Sequence, residues 1–408
     1  MMDNGLTRCG VTEAHIGLVP LRVIAEDQGR REFLLATCIA LLLVVVLALR
    51  TDMLTSDHPD FSRPADRHVY IRMAKEPLFS VRYAAYCWRI ATPLLARALP
   101  SDLQTSFFII AFLSTWATAV TVYYLSKASG FQRGYALVGM LMFYSLGWAT
   151  KSVLRDFWLP DALSYLLITL SIYFILVKKD VEFLAVLTLG VLVKETILFV
   201  APLYYSLNTD RYVDRRLLLR SLLLILPALA LFASIRLLIP SVNEFGYWEN
   251  VLNYGIPRVL NFSLESLVAY TLGPFGAVVV VLALYSVRRL GTATLSRYLP
   301  FLVMAYSPVL IMDRYFPGNA QRELVVGFPA MIVLSVSGLR AVAERIHARP
   351  TDVLILPLHL LGSNLINPKS VSTRYLDQIL TLILYVGLAA FIRTRKRPRQ
   401  TPDRRPCQ

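Results

Sequence analysis

The sequence predicts an all-α fold. It is a polytopic transmembrane helical bundle of about twelve membrane segments, with a large first outer loop that contains interfacial helices. Three observations predict it. The chain of 408 residues is 56% hydrophobic and only 17% charged. Its mean hydropathy is +0.55, and apolar runs of about 18 or more residues recur, each able to cross a ~30 Å hydrocarbon core as a helix. These runs do not alternate apolar with polar, which argues against a closed barrel, the other architecture that satisfies its backbone in lipid.

The expected organisation is a cytoplasmic N-terminal segment over 1–32, a transmembrane domain over 33–392 and a basic cytoplasmic tail over 393–408. The first apolar run, 33–49, reads as a retained anchor, because it is too late and too long for a cleaved leader. Arg30 and Arg31 place its start inside. Residues 51–104 then form the first outer loop. Its second half, 81–99, spaces apolar residues helically around Arg82, Arg89 and Arg97, the pattern of an interfacial helix with snorkelling arginines.

Segments 106–125 and 135–148 follow, joined by a connection whose Lys127 and Arg133 mark it as cytoplasmic. Residues 151–160 are a short outer loop, and 161–177 return to Lys178-Lys179-Asp180. The run 181–207 has basic clusters at both ends and Lys194-Glu195 in its middle. Two inside ends require a hairpin, with arms of ~12 residues or about 18 Å. Its charged tip stops below the outer surface, a depth that suggests a polar cavity. Segment 217–240 leads to a second outer loop, 241–267. Segments 268–287, 298–312, 324–342, 353–361 and 375–392 complete the count, with loops at 313–323 and 362–374. The unusual loops all fall on one face by this reckoning. No internal repeat of fixed period is visible.

The net charge of +15 collects in cytoplasmic loops and tail, so no nucleic acid is expected as a partner. Cys9, Cys38, Cys87 and Cys407 are scattered, with no zinc spacing and no disulfide implied.

The first loop holds the chemistry. Asp57, Asp60 and Asp66 are its candidate acids, and Asp66 shares a helical face with Tyr70 four residues on. A carboxylate here can take a proton from an acceptor hydroxyl, with Asp66 the first candidate and Asp60 or Asp57 the alternatives. Arg89, Lys194 and Arg322 could hold a phosphate. Each has a plain reading too: Arg89 as an interfacial side chain, Lys194-Glu195 as a structural ion pair, Arg322 as a helix-end charge. His58 and His68 with Asp57 and Asp60 offer loosely spaced ligands for a divalent metal, and no cofactor or metal is required by the pattern.

The acid at Asp66 with Tyr70 beyond it resembles the first loop of the GT-C superfamily of polyprenyl-phosphate-dependent glycosyltransferases, in its bacterial type. Trp88-Arg89-Ile90-Ala91-Thr92-Pro93 is similar to the Arg-x-x-x-Pro stretch of bacterial members. Leu192-Val193-Lys194-Glu195-Thr196 resembles their Lys-Glu pair at a hairpin tip, and Arg322-Glu323 ahead of Pro329 resembles a later outer arginine. The likeness spans the first ~340 residues in layout. A clean Asp-x-Asp is missing, and no large outer domain follows the last helix, unlike an oligosaccharyltransferase. The resemblance implies catalysis by Asp66 or Asp60, donor phosphate on Arg89, Lys194 and Arg322, and an acceptor cavity at Tyr70, Glu195 and Asp313. The implied partners are a polyprenyl-phosphate-linked sugar donor, a lipid or glycan acceptor, and membrane lipids. A transporter or flippase of a lipid-linked substrate, or a non-catalytic assembly protein, are the alternatives. Transporters place charges near the midplane, often on internal repeats, whereas here the charges crowd one face.

Overall fold

The computed structural model describes residues 26–366, except 64, 78, 210–212, 243–263, 291 and 313–316, together with Ile383, Val386, Gly387 and Ala390. Among the described residues the structure is helical, and the one extended pairing is an isolated bridge between Tyr83 and Val242. Asp313, most of the loops 241–267 and 362–374, nearly all of segment 375–392 and the basic tail lie outside the described residues.

Helix α1 spans Glu26–Leu49. It turns a narrow stripe of Ala36, Ala40, Val44 and Leu47 inward and leaves Leu34, Leu35 and Leu42 exposed. Small residues at spacing of three and four allow close approach, while exposed leucines suit lipid. Its neighbour α4, Leu103–Ala128, starts where Asp102 accepts from the Thr105 amide at 3.0 Å, which satisfies an orphan donor of the first turn. Buried hydroxyls along α4 bond their own helix: Thr115 to the Ala111 carbonyl at 2.8 Å and Thr118 to Ser114 at 2.6 Å. Self-pairing lets polar residues sit at membrane depth. Helix α4 packs against α1, against α3 (Ala91–Ala98), α5 (Arg133–Ser145) and α7 (Asp161–Leu176).

Among the described residues, four helices are long and apolar enough to cross a membrane: Gly29–Leu49, Leu103–Ala128, Arg215–Leu238 and Gln321–Arg345. Other expected segments have different bounds: 298–312 lies within one longer helix, Thr292–Met312. Residues 268–287 divide at Gly276 into Leu264–Phe275 and Ala277–Leu290, and the short run 353–361 extends as Ile355–Ile366. Residues 151–160, expected as loop, begin with the buried helical turn Lys151–Arg155. The Ala277–Leu290 helix lies close along Phe328–Arg345. Ser335 donates to the Val279 carbonyl at 2.7 Å, and a Cβ on Gly338 would stand 2.0 Å from the Leu282 carbonyl oxygen.

The run 181–207 doubles back. Helix Asp180–Gly190 ends in a turn, and a 3₁₀ stretch, Glu195–Val200, leads into Ala201–Asn208. The two arms meet at their base, where the Tyr204 hydroxyl donates to Asp180 at 3.0 Å and Phe183 stacks on Tyr204 at 5.4 Å.

One expected element is corrected. Residues 81–99 do not form a single interfacial helix. A 3₁₀ turn, Tyr86–Trp88, is followed by α3 starting at Ala91. Pro93 supplies the reason: it has no N–H to donate, so it belongs in a first helical turn rather than a helix interior. The break at Arg89 frees that side chain to turn inward.

The two ends of the bundle differ. At one end Glu32 meets Lys127 at 2.5 Å and Arg133 at 2.8 Å, and Arg220 pairs with Asp180. At the other end the first loop is clamped onto the bundle: the Trp158 indole donates to the Leu54 carbonyl at 2.7 Å and packs on Phe107.

Candidate functional site

Asp66 opens the helix Asp66–Lys75, a first-turn position that the helix dipole favours for an acid. Arg67, 6% exposed, points the other way and grips Asp156 at 3.1 to 3.3 Å. That buried pair fixes the helix so that Asp66 faces the bundle. Its Oδ1 accepts from the Tyr86 hydroxyl at 2.8 Å, and its Oδ2 accepts from Arg322 Nη2 at 2.8 Å.

A second strand of the network runs beside it. Arg89 donates to both oxygens of Glu195, at 2.5 and 3.0 Å, and to the Tyr70 hydroxyl at 3.1 Å. The rings of Tyr70 and Tyr86 meet edge to face at 5.7 Å, which ties the two strands together. Beneath them Lys194 donates to Asp161 at 2.7 Å and to Glu323 at 2.8 Å, with its side chain wholly buried. Arg322 Nε lies 3.5 Å from Asp161 Oδ2 and, among the described residues, has no hydrogen-bond partner although it is buried.

The structure therefore gathers Asp66, Tyr70, Arg89, Lys194, Glu195 and Arg322 from the first loop, the hairpin tip and the segment before Phe328. Four carboxylates (Asp66, Asp161, Glu195, Glu323) face three cations (Arg89, Lys194, Arg322), an excess of one negative charge. The side chains that reach solvent most are Asp66 at 23% and Glu195 at 26%, while Arg322 reaches it at 16%. The opening thus presents hydrogen-bond acceptors, with the cations behind them.

Burial raises the pKa of the Asp66 carboxyl, but the charge and hydrogen bond of Arg322, the Tyr86 hydroxyl and the Arg89 charge together outweigh it. The net effect holds Asp66 below its usual range. Burial pushes the Tyr70 and Tyr86 phenols well up, so both stay protonated donors. Asp156 goes the other way: burial raises its carboxyl despite Arg67.

Asp60 stands apart. It pairs with Arg63 at 3.0 Å and Arg155 at 3.7 Å. The loosely spaced metal ligands do not converge either. His58 faces Asp52 at 3.2 Å, His68 faces the Arg63 carbonyl at 3.1 Å, and Asp57 is exposed. Among the described residues no group of three or more His, Cys, Asp or Glu side chains could hold a metal ion.

Asp161, Tyr86 and the Arg67–Asp156 pair escape a reading of the sequence. Asp161 had one signal, an acid between Pro160 and a long run without charges, where a helix start within membrane depth needs a partner. Tyr86 had none, since tyrosines are common near membrane interfaces. Beside the charged centre lies a narrow apolar cleft lined by Met73, Pro77, Val81, Ile90, Pro93 and Leu94. Comparison with protein-family models and with characterised proteins finds no match to this chain.

Proposed function

We propose that this chain is an integral membrane glycosyltransferase of the GT-C kind, moving a sugar from a polyprenyl-phosphate donor to a lipid or glycan acceptor on the outer face of the membrane. The observation that carries the reading is the meeting of Asp66 and Arg322 at 2.8 Å in the cleft end of the bundle. A carboxylate beside a guanidinium is what an acid–base transfer to and from phosphate needs. The opposite end carries Lys127, Arg133 and Arg220. Positive residues stay in the cytoplasm, so the multi-pass bundle would hold the site outside.

In the reaction, the acceptor oxygen bonds to the sugar's anomeric carbon as the bond from that carbon to the phosphate oxygen breaks. The electron pair leaves with the phosphate, and Asp66 takes the acceptor proton. Arg322 steadies the departing phosphate with parallel hydrogen bonds. Lys194 acts through its two carboxylates, fixing Asp161 and Glu323 on either side of Arg322. Arg89 fixes Tyr70 and the hairpin tip.

Purified full-length protein in nanodiscs, given radiolabelled polyprenyl-phosphate hexoses and pentoses with membrane-extract acceptors, tests the reading. Transfer by the wild-type protein and its loss in Asp66→Asn are expected. Failure of the wild type to transfer from any such donor would overturn it. One observation favours a second reading: the sealed Lys194 at the break of a hairpin resembles the broken-helix ion sites of transporters. Movement of an intact lipid-linked sugar across proteoliposomes, without transfer, would support that reading instead.

A further inference from the structure

Both oxygens of Asp66 are occupied: Tyr86 holds Oδ1 and Arg322 holds Oδ2, each at 2.8 Å. A carboxylate so held, with its proton affinity depressed, is a poor base. Arg322 is the least settled of the three cations. Its Nε is buried without a hydrogen-bond partner among the described residues, with Asp161 at 3.5 Å, and Glu323 is 3.9 Å from the guanidinium. Lys194 is sealed, and Arg89 is committed to Glu195 through two bonds. The cluster already has one carboxylate in excess, so a phosphate cannot simply be added at Arg322 without piling like charges together.

We propose that Arg322 is an exchange site: an incoming phosphate displaces the Asp66 carboxylate from Arg322, and only the displaced carboxylate, still held by Tyr86, can receive the acceptor's proton. The resting protein is thereby self-inhibited, and donor binds before acceptor reacts. The acceptor step rests on the glycosyltransferase reading; the exchange itself needs only a phosphate. The driving force is differential. Phosphate gains a planar guanidinium that it can grip twice, while Asp66 swings toward the solvent it already partly reaches and regains hydration. When Asp66 then takes the proton, the added negative charge is neutralised where it would otherwise repel the leaving phosphate. Tyr86 is a positioning residue in this scheme, since it keeps the released carboxylate over the site.

The test is the binding of farnesyl phosphate to the full chain in nanodiscs, without any sugar. Exchange makes Asp66 a competitor of phosphate, so Asp66→Asn should bind it about tenfold tighter, the scale of one partly buried charge pair. In an Arg322→Gln background the same substitution should change nothing. Unchanged or weaker binding by Asp66→Asn would overturn exchange. So would a gain that persists without Arg322, because that gain would be general electrostatics. The wild-type protein gives a reading that does not depend on a variant folding: phosphate addition should shift a carboxylate band in the infrared difference spectrum, and an unshifted band overturns the proposal. If phosphate exchanges but no sugar is ever transferred, the exchange stands and the glycosyltransferase reading falls. If sugar is transferred without exchange, the reverse holds.

Discussion

Arg89 and Glu195, 106 residues apart, form a two-bond ion pair at 2.5 and 3.0 Å. It joins the first loop to the tip of the hairpin, and both side chains are largely withdrawn from solvent, at 11% and 26% exposure. Removing one partner of such a pair strands the other charge. Glu195→Ala should therefore cost about 3–5 kcal/mol, read as a lower unfolding temperature in detergent. Glu195→Ala combined with Arg89→Ala should cost less than the sum of the single changes. Strict additivity would show that the pair does not couple the two elements.

Asp66→Asn should lower sugar transfer by about 10²–10⁴, the usual contribution of a base, without loss of folded protein. Asp60→Asn should leave transfer at the wild-type level, since Asp60 is engaged with Arg63 and Arg155 outside the cluster. Initial rates for the two variants, side by side, settle which carboxylate acts.

The depressed Asp66 carboxyl fixes a pH window. A group whose folded pKa lies below its unfolded value of about 3.9 contributes stability that is present above that value and is lost as pH falls through the folded pKa. The difference in unfolding temperature between wild type and Asp66→Asn should thus be flat from about pH 5 to 8 and shrink only below about pH 4. A difference that changed across neutral pH would mean that Asp66 is not held ionised by Arg322.

Two glycines should respond differently to alanine. At Gly338 the new Cβ meets the Leu282 carbonyl oxygen at 2.0 Å, which is backbone and can yield only if two helices separate. At Gly190 it meets the Ile197 Cδ1 at 2.1 Å, the free end of a side chain. Gly338→Ala should cost about 1–3 kcal/mol, the range for overpacking, and Gly190→Ala less. Thermal unfolding of both variants in detergent gives the order.

Ser62→Cys should label from outside the cell with a membrane-impermeant maleimide. Ser62 is exposed in the first loop, at the end of the bundle opposite the Lys127, Arg133 and Arg220 pairs. Labelling from the cytoplasmic side alone would invert the sidedness and with it the choice of donor.

What the sequence determined by itself is the helical class, the place of α1, α4 and the Arg215–Leu238 helix, and the return of the chain within 181–207. These follow from local quantities: apolar length, helical period, and charge clusters at the ends of runs. The chemical inventory was legible for the same reason, since Asp66, Arg89, Lys194 and Arg322 are charges where an apolar chain carries few. Their partners were not. A charge near a helix end reads alike whether it faces water or a carboxylate from elsewhere. Only helix packing brought Arg322 to Asp66 across 256 residues, sealed Lys194 between Asp161 and Glu323, and left Asp60 with Arg155. The break at Arg89 was decided jointly, by Pro93 locally and by Glu195 at a distance. Buried ions are held by the balance between desolvation and pairing, and that balance is set by which groups meet, which is a property of the tertiary structure.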